Sequence, residues 1–289
     1  MISVIVPAYN SERTIVRCVD SILGQRQSLK EELEVVVVDD ASKDRTYSIL
    51  RRMESVKVLV NPFNQGLYQS RMNALGVCSG DRVLFVDADD WLEDGAIARL
   101  AEHDEDIVTM GFQYRLTRLN IPHEVILKKA EGTLADNIIR GIGEFSPSVW
   151  GKLYSMPLLE RTVFPRFDSF WGEDRIFNLA VMEQNPTVKV LDYIGYNYKW
   201  GGQSKTFQPH AINQYRYFVQ TIKRWKGESD ALSECWDELR RYYVRNAIVD
   251  SKWSKAQIIE KAGSSEEEYR QQRNEVLKHL YKYIISRVL

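Results

Sequence analysis

Short apolar runs alternate with amphipathic stretches through the first hundred positions of the chain. Residues 2–6, 33–38, 56–60 and 83–86 are mostly apolar runs rich in β-branched side chains, interrupted only by Ser3, Glu34 and Lys57. Runs of that length without polar alternation predict strands buried on both faces. Between them the period changes to that of a helix. Ser11 opens a stretch running to about Gly24, with Ile15, Val19, Ile22 and Leu23 on one stripe. Asp44 precedes a stretch carrying Tyr47, Ile49 and Leu50, and residues 67–78 place Leu67, Met72 and Leu75 inward. Ser and Asp in these positions cap the free N–H groups of a helix. Another helix is expected over 93–102. Strand–helix alternation predicts an α/β fold with a mostly parallel sheet flanked by helices. Beyond residue 105 the pattern mixes strands near 106–114 and 188–199 with helices near 134–141 and 174–184, and from about 208 it is helical. The expected division is a catalytic region 1–206, in halves 1–103 and 104–206, followed by a helical region 207–289.

Ligands of such sheets bind outside the carboxyl ends of the strands. Polar clusters stand at all four predicted ends: Pro7-Ala8-Tyr9-Asn10, Asp39-Asp40, residues 61–66, and Asp87-Ala88-Asp89-Asp90. In an extended strand, residues i and i+2 face one side. Asp87 and Asp89 can then aim at one point while Ala88 faces away. Two carboxylates on one point suit Mg²⁺ or Mn²⁺ with positions left for substrate phosphates. The competing reading of each acid is a turn or helix cap.

Charge and cysteine content narrow the class. The 289 residues hold 39 Lys+Arg against 40 Asp+Glu, which argues against general nucleic-acid binding. The balance is uneven: residues 207–289 carry net +4 and residues 1–206 net −5, so the tail suits an anionic partner. Three widely spaced cysteines show neither metal nor disulfide spacing, as in a reducing compartment. The first residues lack the features of a signal peptide, and no run is long enough to span a bilayer. A cytoplasmic protein is expected, in solution or peripheral at the inner face of the membrane.

The first strand-to-helix turn has no Gly-x-Gly-x-x-Gly, and no Gly-x-x-x-x-Gly-Lys-Ser/Thr occurs. A Rossmann dinucleotide site and a P-loop are disfavoured, so a diphosphate would be met by a metal on Asp87 and Asp89 and a cation such as Arg71. Val4-Ile5-Val6-Pro7-Ala8-Tyr9-Asn10, Val37-Val38-Asp39-Asp40-Ala41-Ser42-Lys43-Asp44, Asn64-Gln65-Gly66 with Arg71-Met72-Asn73, and Phe85-Val86-Asp87-Ala88-Asp89-Asp90 together resemble glycosyltransferase family 2. The resemblance covers about residues 1–200. It implies the GT-A (Rossmann-like) fold, a UDP-sugar donor, a divalent metal and inversion at the anomeric carbon. It places Pro7, Tyr9, Asn10 and Asp39 at the base and ribose, with Asp39 accepting from the uracil imide. It places Asn64, Gly66 and Arg71 in a segment closing over the donor, Asp87 and Ala88 near ribose or sugar, and Asp89 on the metal. Asp44 resembles either a nucleotide-side acid or a helix cap.

Trp171-Gly172-Glu173-Asp174-Arg175 resembles the Glu-Asp motif of the same family. By that resemblance Asp174 is the base that takes the acceptor's proton, and Glu173 contacts sugar or acceptor hydroxyls. The physical alternative is two acids facing a helix dipole. Trp150 and Trp171 are candidate stacking faces for a sugar, or core. Gly151 replaces an Asn usual in the family. Lys152 is a candidate phosphate contact or a surface lysine, and Asp90 a helix-side cap or acceptor contact. Lys199 and Ser204 resemble a loop over the diphosphate, and His210 is a candidate late metal ligand.

In the tail, Leu277, Leu280, Tyr281, Ile284, Ile285, Val288 and Leu289 share a helical face, with Lys278, Lys282 and Arg287 off it. Such a helix lies on an anionic membrane, or packs on the body or on a second subunit of a homo-oligomer. The reading is an inverting transfer from a UDP-sugar to a hydroxyl of a glycan or lipid-linked acceptor in bacterial surface-polysaccharide synthesis. The rivals are a nucleotidyltransferase, which wants a Gly-rich basic first loop, and a non-catalytic GT-A module.

Overall fold

The structure is a computed structural model that describes residues 1–116, 122–125, 133–140, 145–169, 171–200, 211–250 and 254–288. It divides into two compact units, Met1–Gln203 and Ser204–Leu289. The first begins β1 Ile2–Ala8, α1 Ile15–Leu23, a 3₁₀ turn Gly24–Ser28, β2 Leu33–Asp39, α2 Thr46–Leu50, β3 Lys57–Val60, α3 Gly66–Leu75 and β4 Arg82–Phe85. It continues β5 Trp91–Leu92, α4 Ala96–Ala101, β6 Ile107–Leu116, β7 Pro122–Val125, α5 Leu134–Arg140, β8 Lys152–Ser155, α6 Met156–Arg161, α7 Glu173–Met182 and β9 Val188–Trp200.

Among the described residues the strands form one sheet in the order β3-β2-β1-β4-β8-β6-β9-β5, with β7 beside β6. The first four run parallel, as their mostly apolar runs predict, although β3 at the sheet edge is only partly buried. β8 then inserts antiparallel between β4 and β6, and β5 pairs antiparallel with β9. Neither β5 nor β8 has a distinctive run of its own. β5 shortens the helix expected over 93–102 to Ala96–Ala101. The order reverses between β1 and β4, and such a switch point opens a crevice at the strand ends.

One face of the sheet packs Val4, Val6, Val35 and Val37 against Ile15, Val19 and Ile22 of α1 and Ile97 and Leu100 of α4. On the other, Phe85 of β4, Tyr154 of β8 and Phe177 of α7 meet edge to face, with ring centroids 5.5–5.9 Å apart. That aromatic knot seats the body of α7, and its first turn carries Glu173 and Asp174.

Two expected caps take a different form. The Ser11 carbonyl, not its hydroxyl, accepts from Thr14 and Ile15, and α1 starts at Ile15. Asp44 accepts from the N–H of Thr46 at 2.9 Å and of Glu12 at 3.1 Å, so it ties two loops together.

The second unit holds α8 Ala211–Lys226, α9 Asp230–Asp250, α10 Lys255–Ala262 and α11 Glu266–Val288, with α9 touching the other three. Ser254 and Gln257 form a reciprocal capping box on α10, and Gly263 ends it in the left-handed conformation. Leu277 of the tail stripe is exposed. The other stripe side chains, from Leu280 onward, lie outside the described residues. Among the described residues no helix is long and apolar enough to cross a membrane.

Candidate active site

The loops after β1 and β2 are fastened to each other. Asn10 and Ala41 both take positive φ, 50° and 57°. The Asn10 N–H donates to Ser42 Oγ at 3.0 Å, and Asn10 Oδ1 accepts from the Lys43 N–H at 2.8 Å. Pro7 and Asp39 are buried and Tyr9 is half-buried. The Asp39 carboxylate receives one long bond, 3.4 Å from the Ser42 N–H. Its neighbour Asp40, also buried, is fully engaged: it accepts from Asn61 Nδ2 at 2.8 Å, the Gln65 N–H at 2.8 Å and the Gly66 N–H at 2.9 Å. Asn64 reaches the Asp40 carbonyl at 3.3 Å. Asp40 thus holds the start of α3, where Gly66 turns at φ 85°. Sequence reasoning assigned no role to Asp40. Asp40 stands 25 positions before Gln65 and 26 before Gly66 in sequence, which leaves no local signal.

The acidic stretch after β4 is a turn rather than a continued strand, because the Asp90 N–H bonds the Asp87 carbonyl at 3.0 Å. The alternation argument for Asp87 and Asp89 therefore does not apply, and the acids separate. Asp87 pairs with Arg71 Nη2 at 2.9 Å. Asp89 is exposed, and its carbonyl accepts from Arg17 Nη2 at 2.9 Å. Its carboxylate is met by its own backbone N–H. Ala88 is buried. Asp90, expected as a cap or acceptor contact, is 1% exposed and accepts from the Tyr196 hydroxyl at 2.7 Å and the Lys199 N–H at 2.8 Å. It is a brace between the β4 end and β9, closed to a substrate. The same Tyr196 hydroxyl accepts from the Asp87 N–H at 3.1 Å.

Burial raises Asp87 and Asp90, and Asp89 is raised by the protein packed around it although its side chain reaches solvent. Asp87 rises to about 6 against the opposing pull of Arg71. Asp89 rises with Lys199 and Arg17 opposing. Asp90 is pushed well up by burial and then by the charges of Asp89 and Asp87. A cation at this end of the crevice would relieve that cost.

Arg71 is the centre of the site. It is 1% exposed and donates from Nη1 to Asp174 at 2.5 Å and from Nη2 to Asp87. Burial works against its charge, but Asp174 and Asp87 more than offset it. The expectation that Arg71 meets a diphosphate is corrected here: both ends of its guanidinium are committed to carboxylates, because α7 delivers Asp174 across 103 positions of sequence. Glu173 is buried beside this pair, and burial followed by the Asp174 charge raises it to about 8.

Lys152 is also corrected. It is fully buried on β8, where Nζ donates to the Ser148 carbonyl and lies 4.6 Å from the Phe145 ring. It is neither a surface lysine nor within reach of an acceptor. Trp150 stacks on Tyr196 at 4.4 Å and Tyr198 at 5.4 Å. It belongs to the core, so the sugar-stacking reading does not hold for it. Trp171 is half-buried, with the Arg175 guanidinium 5.1 Å from its ring. Ser204 and His210 lie outside the described residues.

A parallel half-sheet with its crevice at the β1/β4 reversal, and an acid pair brought to that crevice by a helix of the mixed half, is the architecture of a GT-A glycosyltransferase. Comparisons with known proteins agree. Residues 3–132 match the family described as Glycosyl transferase family 2. An uncharacterized glycosyltransferase, EpsJ of Bacillus subtilis (strain 168), is 32% identical over 273 residues, which is 86% of this chain and 76% of that protein. A poly(ribitol-phosphate) beta-glucosyltransferase of Bacillus spizizenii is 34% identical over 208 residues, 68% of this chain and 32% of that longer protein. The crystal structure of S. aureus TarS 1-349 in complex with UDP-GlcNAc is similar with TM-score 0.59 at 25% identity, covering 90% of this chain and 79% of that one. The chain belongs to glycosyltransferase family 2 and is a glycosyltransferase.

Proposed function

We propose that the chain moves a hexosyl or N-acetylhexosaminyl group, with inversion, from a UDP-sugar to a hydroxyl of a bacterial surface glycan or its lipid-linked precursor. The observation that carries this is Arg71, which joins the donor-end acid Asp87 to the helix-start acid Asp174 in one buried unit. Relatives point the same way: TarS is a poly(ribitol-phosphate) beta-N-acetylglucosaminyltransferase, and its structure is known with UDP-GlcNAc.

In this reading Asp39, with its single long hydrogen bond, accepts from the uracil imide. The bonded loops around Asn10 and Ser42 shape the base pocket. The start of α3, held by Asp40, covers the donor. Asp89 fits a divalent ion, because its solvent-reaching carboxylate is a hard oxygen donor, and Mg²⁺ or Mn²⁺ needs only one or two carboxylates beside substrate phosphates. Such an ion, when bound, would neutralise charge on the departing diphosphate. Asp174 takes the proton of the acceptor hydroxyl as that oxygen attacks the anomeric carbon. Arg71 holds the Asp174 carboxylate in place, and Glu173, protonated at neutral pH, donates a hydrogen bond to a sugar or acceptor hydroxyl. Work at the inner membrane face, with the basic 207–289 region toward anionic lipid, belongs to the same reading.

The test pairs binding with turnover. Asp174→Asn should lower transfer by about 10²–10⁴-fold, the usual contribution of a general base. Calorimetry with UDP, with and without Mn²⁺, should give near wild-type affinity for that variant. Full activity in Asp174→Asn removes it from the base role, and a wild-type protein that binds no UDP overturns the whole reading.

A further inference from the structure

Beside Asp89 the sheet carries a polar face with one indole in it. β5 pairs Trp91 with Asn197 of β9, and β9 pairs Asn197 with Gln113 of β6. Residues paired in register, and those two apart on one strand, share a face. Trp91, Asn197, Gln113 and Arg115 are therefore neighbours on one side, while Leu92, Tyr196 and Phe112 fill the core on the other.

The polar side is a closed network. Glu93 accepts from Gln113 Nε2 at 3.0 Å, Asn197 Nδ2 at 3.0 Å and Arg115 Nη2 at 3.3 Å. Asn197 Oδ1 accepts from Gln113 Nε2 at 2.9 Å and from Arg115 Nε at 2.7 Å. These bonds hold the Arg115 guanidinium 5.9 Å from the Trp91 ring centroid. Glu93 balances its charge.

Arg17 comes to the same ring from α1. Its guanidinium lies 3.6 Å from the ring centroid, and Nη2 donates to the Asp89 carbonyl at 2.9 Å. Arg17 is exposed, and among the described residues no carboxylate is paired with it. A neutral side chain would pack on the indole, and a neutral donor would satisfy the carbonyl, so neither contact needs the charge. A guanidinium has five N–H donors, and one hydrogen bond leaves most of them open. A planar cation held in place by an aromatic ring, with its edge free, matches the oxygens of a phosphate.

We propose that Arg17, Trp91 and Arg115 form a subsite for a phosphate ester carried by the acceptor, so that the acceptor is a phosphorylated chain or carrier rather than a neutral glycan. Assigning the phosphate to the acceptor rests on the transferase reading, whereas the phosphate subsite rests on the geometry alone. The platform joins α1 and β5 of the donor half to β6 and β9 of the acceptor half. It adjoins the ion site through the Asp89 carbonyl, while the donor diphosphate belongs to the Asp89 carboxylate. Two sources share this chemistry: a polyol-phosphate chain, and a sugar joined through phosphate to a lipid carrier.

The indole N–H resonance of Trp91, assigned by its loss in Trp91→Phe, reads the site in the full chain. With UDP and Mg²⁺ present at fixed ionic strength, glycerol 3-phosphate or N-acetylglucosamine 1-phosphate should move it to saturation. Glycerol and N-acetylglucosamine should not. The tighter ester tells the polyol-phosphate source from the sugar-phosphate source. Arg17→Gln should bind that ester about tenfold or more weakly, as loss of a charge-assisted hydrogen bond implies. Arg17→Lys, which keeps the charge without the planar donors, should fall between. A resonance that stays still in wild type, or saturates at the same concentration in Arg17→Gln, overturns the subsite. Calorimetry with UDP alone should give Arg17→Gln nearly wild-type affinity, which also shows that the variant is folded. An equal loss of UDP affinity assigns the arginine to the donor diphosphate and overturns the proposal. If wild type binds no UDP while an ester still moves Trp91, the phosphate subsite stands and the transferase reading fails.

Discussion

Asp40 and Asp174 are both acids at the threshold of a helix, one in the donor half of the sheet and one in the acceptor half. Asp40 is held by neutral donors: two backbone N–H groups at the start of α3 and one amide. Asp174 is held by Arg71, whose Nη1 donates to it at 2.5 Å. Neutral donors fix shape, so Asp40 sets the path of the chain at the start of α3. A guanidinium instead fixes the orientation of a carboxylate whose role in the proposed reaction is to accept a proton. The same residue type thus builds a wall in one half and a reactive group in the other.

The cationic end should break first. Arg71→Met leaves Asp87 and Asp174 without their shared partner, and removing one member of a buried ion pair costs about 3–5 kcal/mol. Urea unfolding should show that loss, and a loss under about 1 kcal/mol would mean that water replaces the guanidinium freely. Asp40→Ala orphans three donors, and about 2–3 kcal/mol should disappear with them. UDP affinity should fall in parallel, and an unchanged affinity would separate the start of α3 from the donor pocket.

The comparison sharpens with pH. Glu173 is raised in the folded state to about 8 from an ordinary 4.5. The folded form therefore holds its proton where the unfolded form has lost it. Its contribution to stability is complete below about pH 4.5 and is lost as pH rises through about 8. The difference in unfolding free energy between wild type and Glu173→Gln should therefore change steadily across that window, with wild type losing ground as pH rises. A constant difference would mean that the carboxyl is hydrated in solution. The smallest effect lies in the donor loops. Ala41 sits at φ 57°, a conformation that costs an L-residue about 1–2 kcal/mol. Ala41→Gly should raise the melting temperature slightly, by at most about 1 kcal/mol of stability, since glycine returns part of the gain as chain entropy.

Much of the donor half was readable along the chain. Its strands are largely apolar runs, and its polar clusters fall at the strand ends; α3 is the exception among its helices, since Leu67, expected inward, is exposed and Tyr68, Arg71 and Ala74 are buried instead. These are local patterns, and parallel strands buried on both faces leave them undisturbed. The acceptor half was less readable. β8 and β5 are too short to carry a period, and both run antiparallel in the places where the mixed sheet needs them. Lys152 and Trp150 read as surface or sugar-facing because residue type is the only signal in sequence. β8 lies between β4 and β6 in the middle of the sheet, so the side chains on it are buried whatever their polarity.

By itself the sequence determined the order of β1 to β4 and the helices between them, the membership of glycosyltransferase family 2, and the acids brought to the crevice. Only the tertiary structure decided how those acids are divided. Asp90 became a brace, Asp89 stayed open, and Asp87 and Asp174 became partners of one arginine. The reason is distance along the chain. The Arg71–Asp174 contact joins positions 103 apart and the Tyr196–Asp90 contact positions 106 apart. Local periodicity carries no information about which distant charge will meet which.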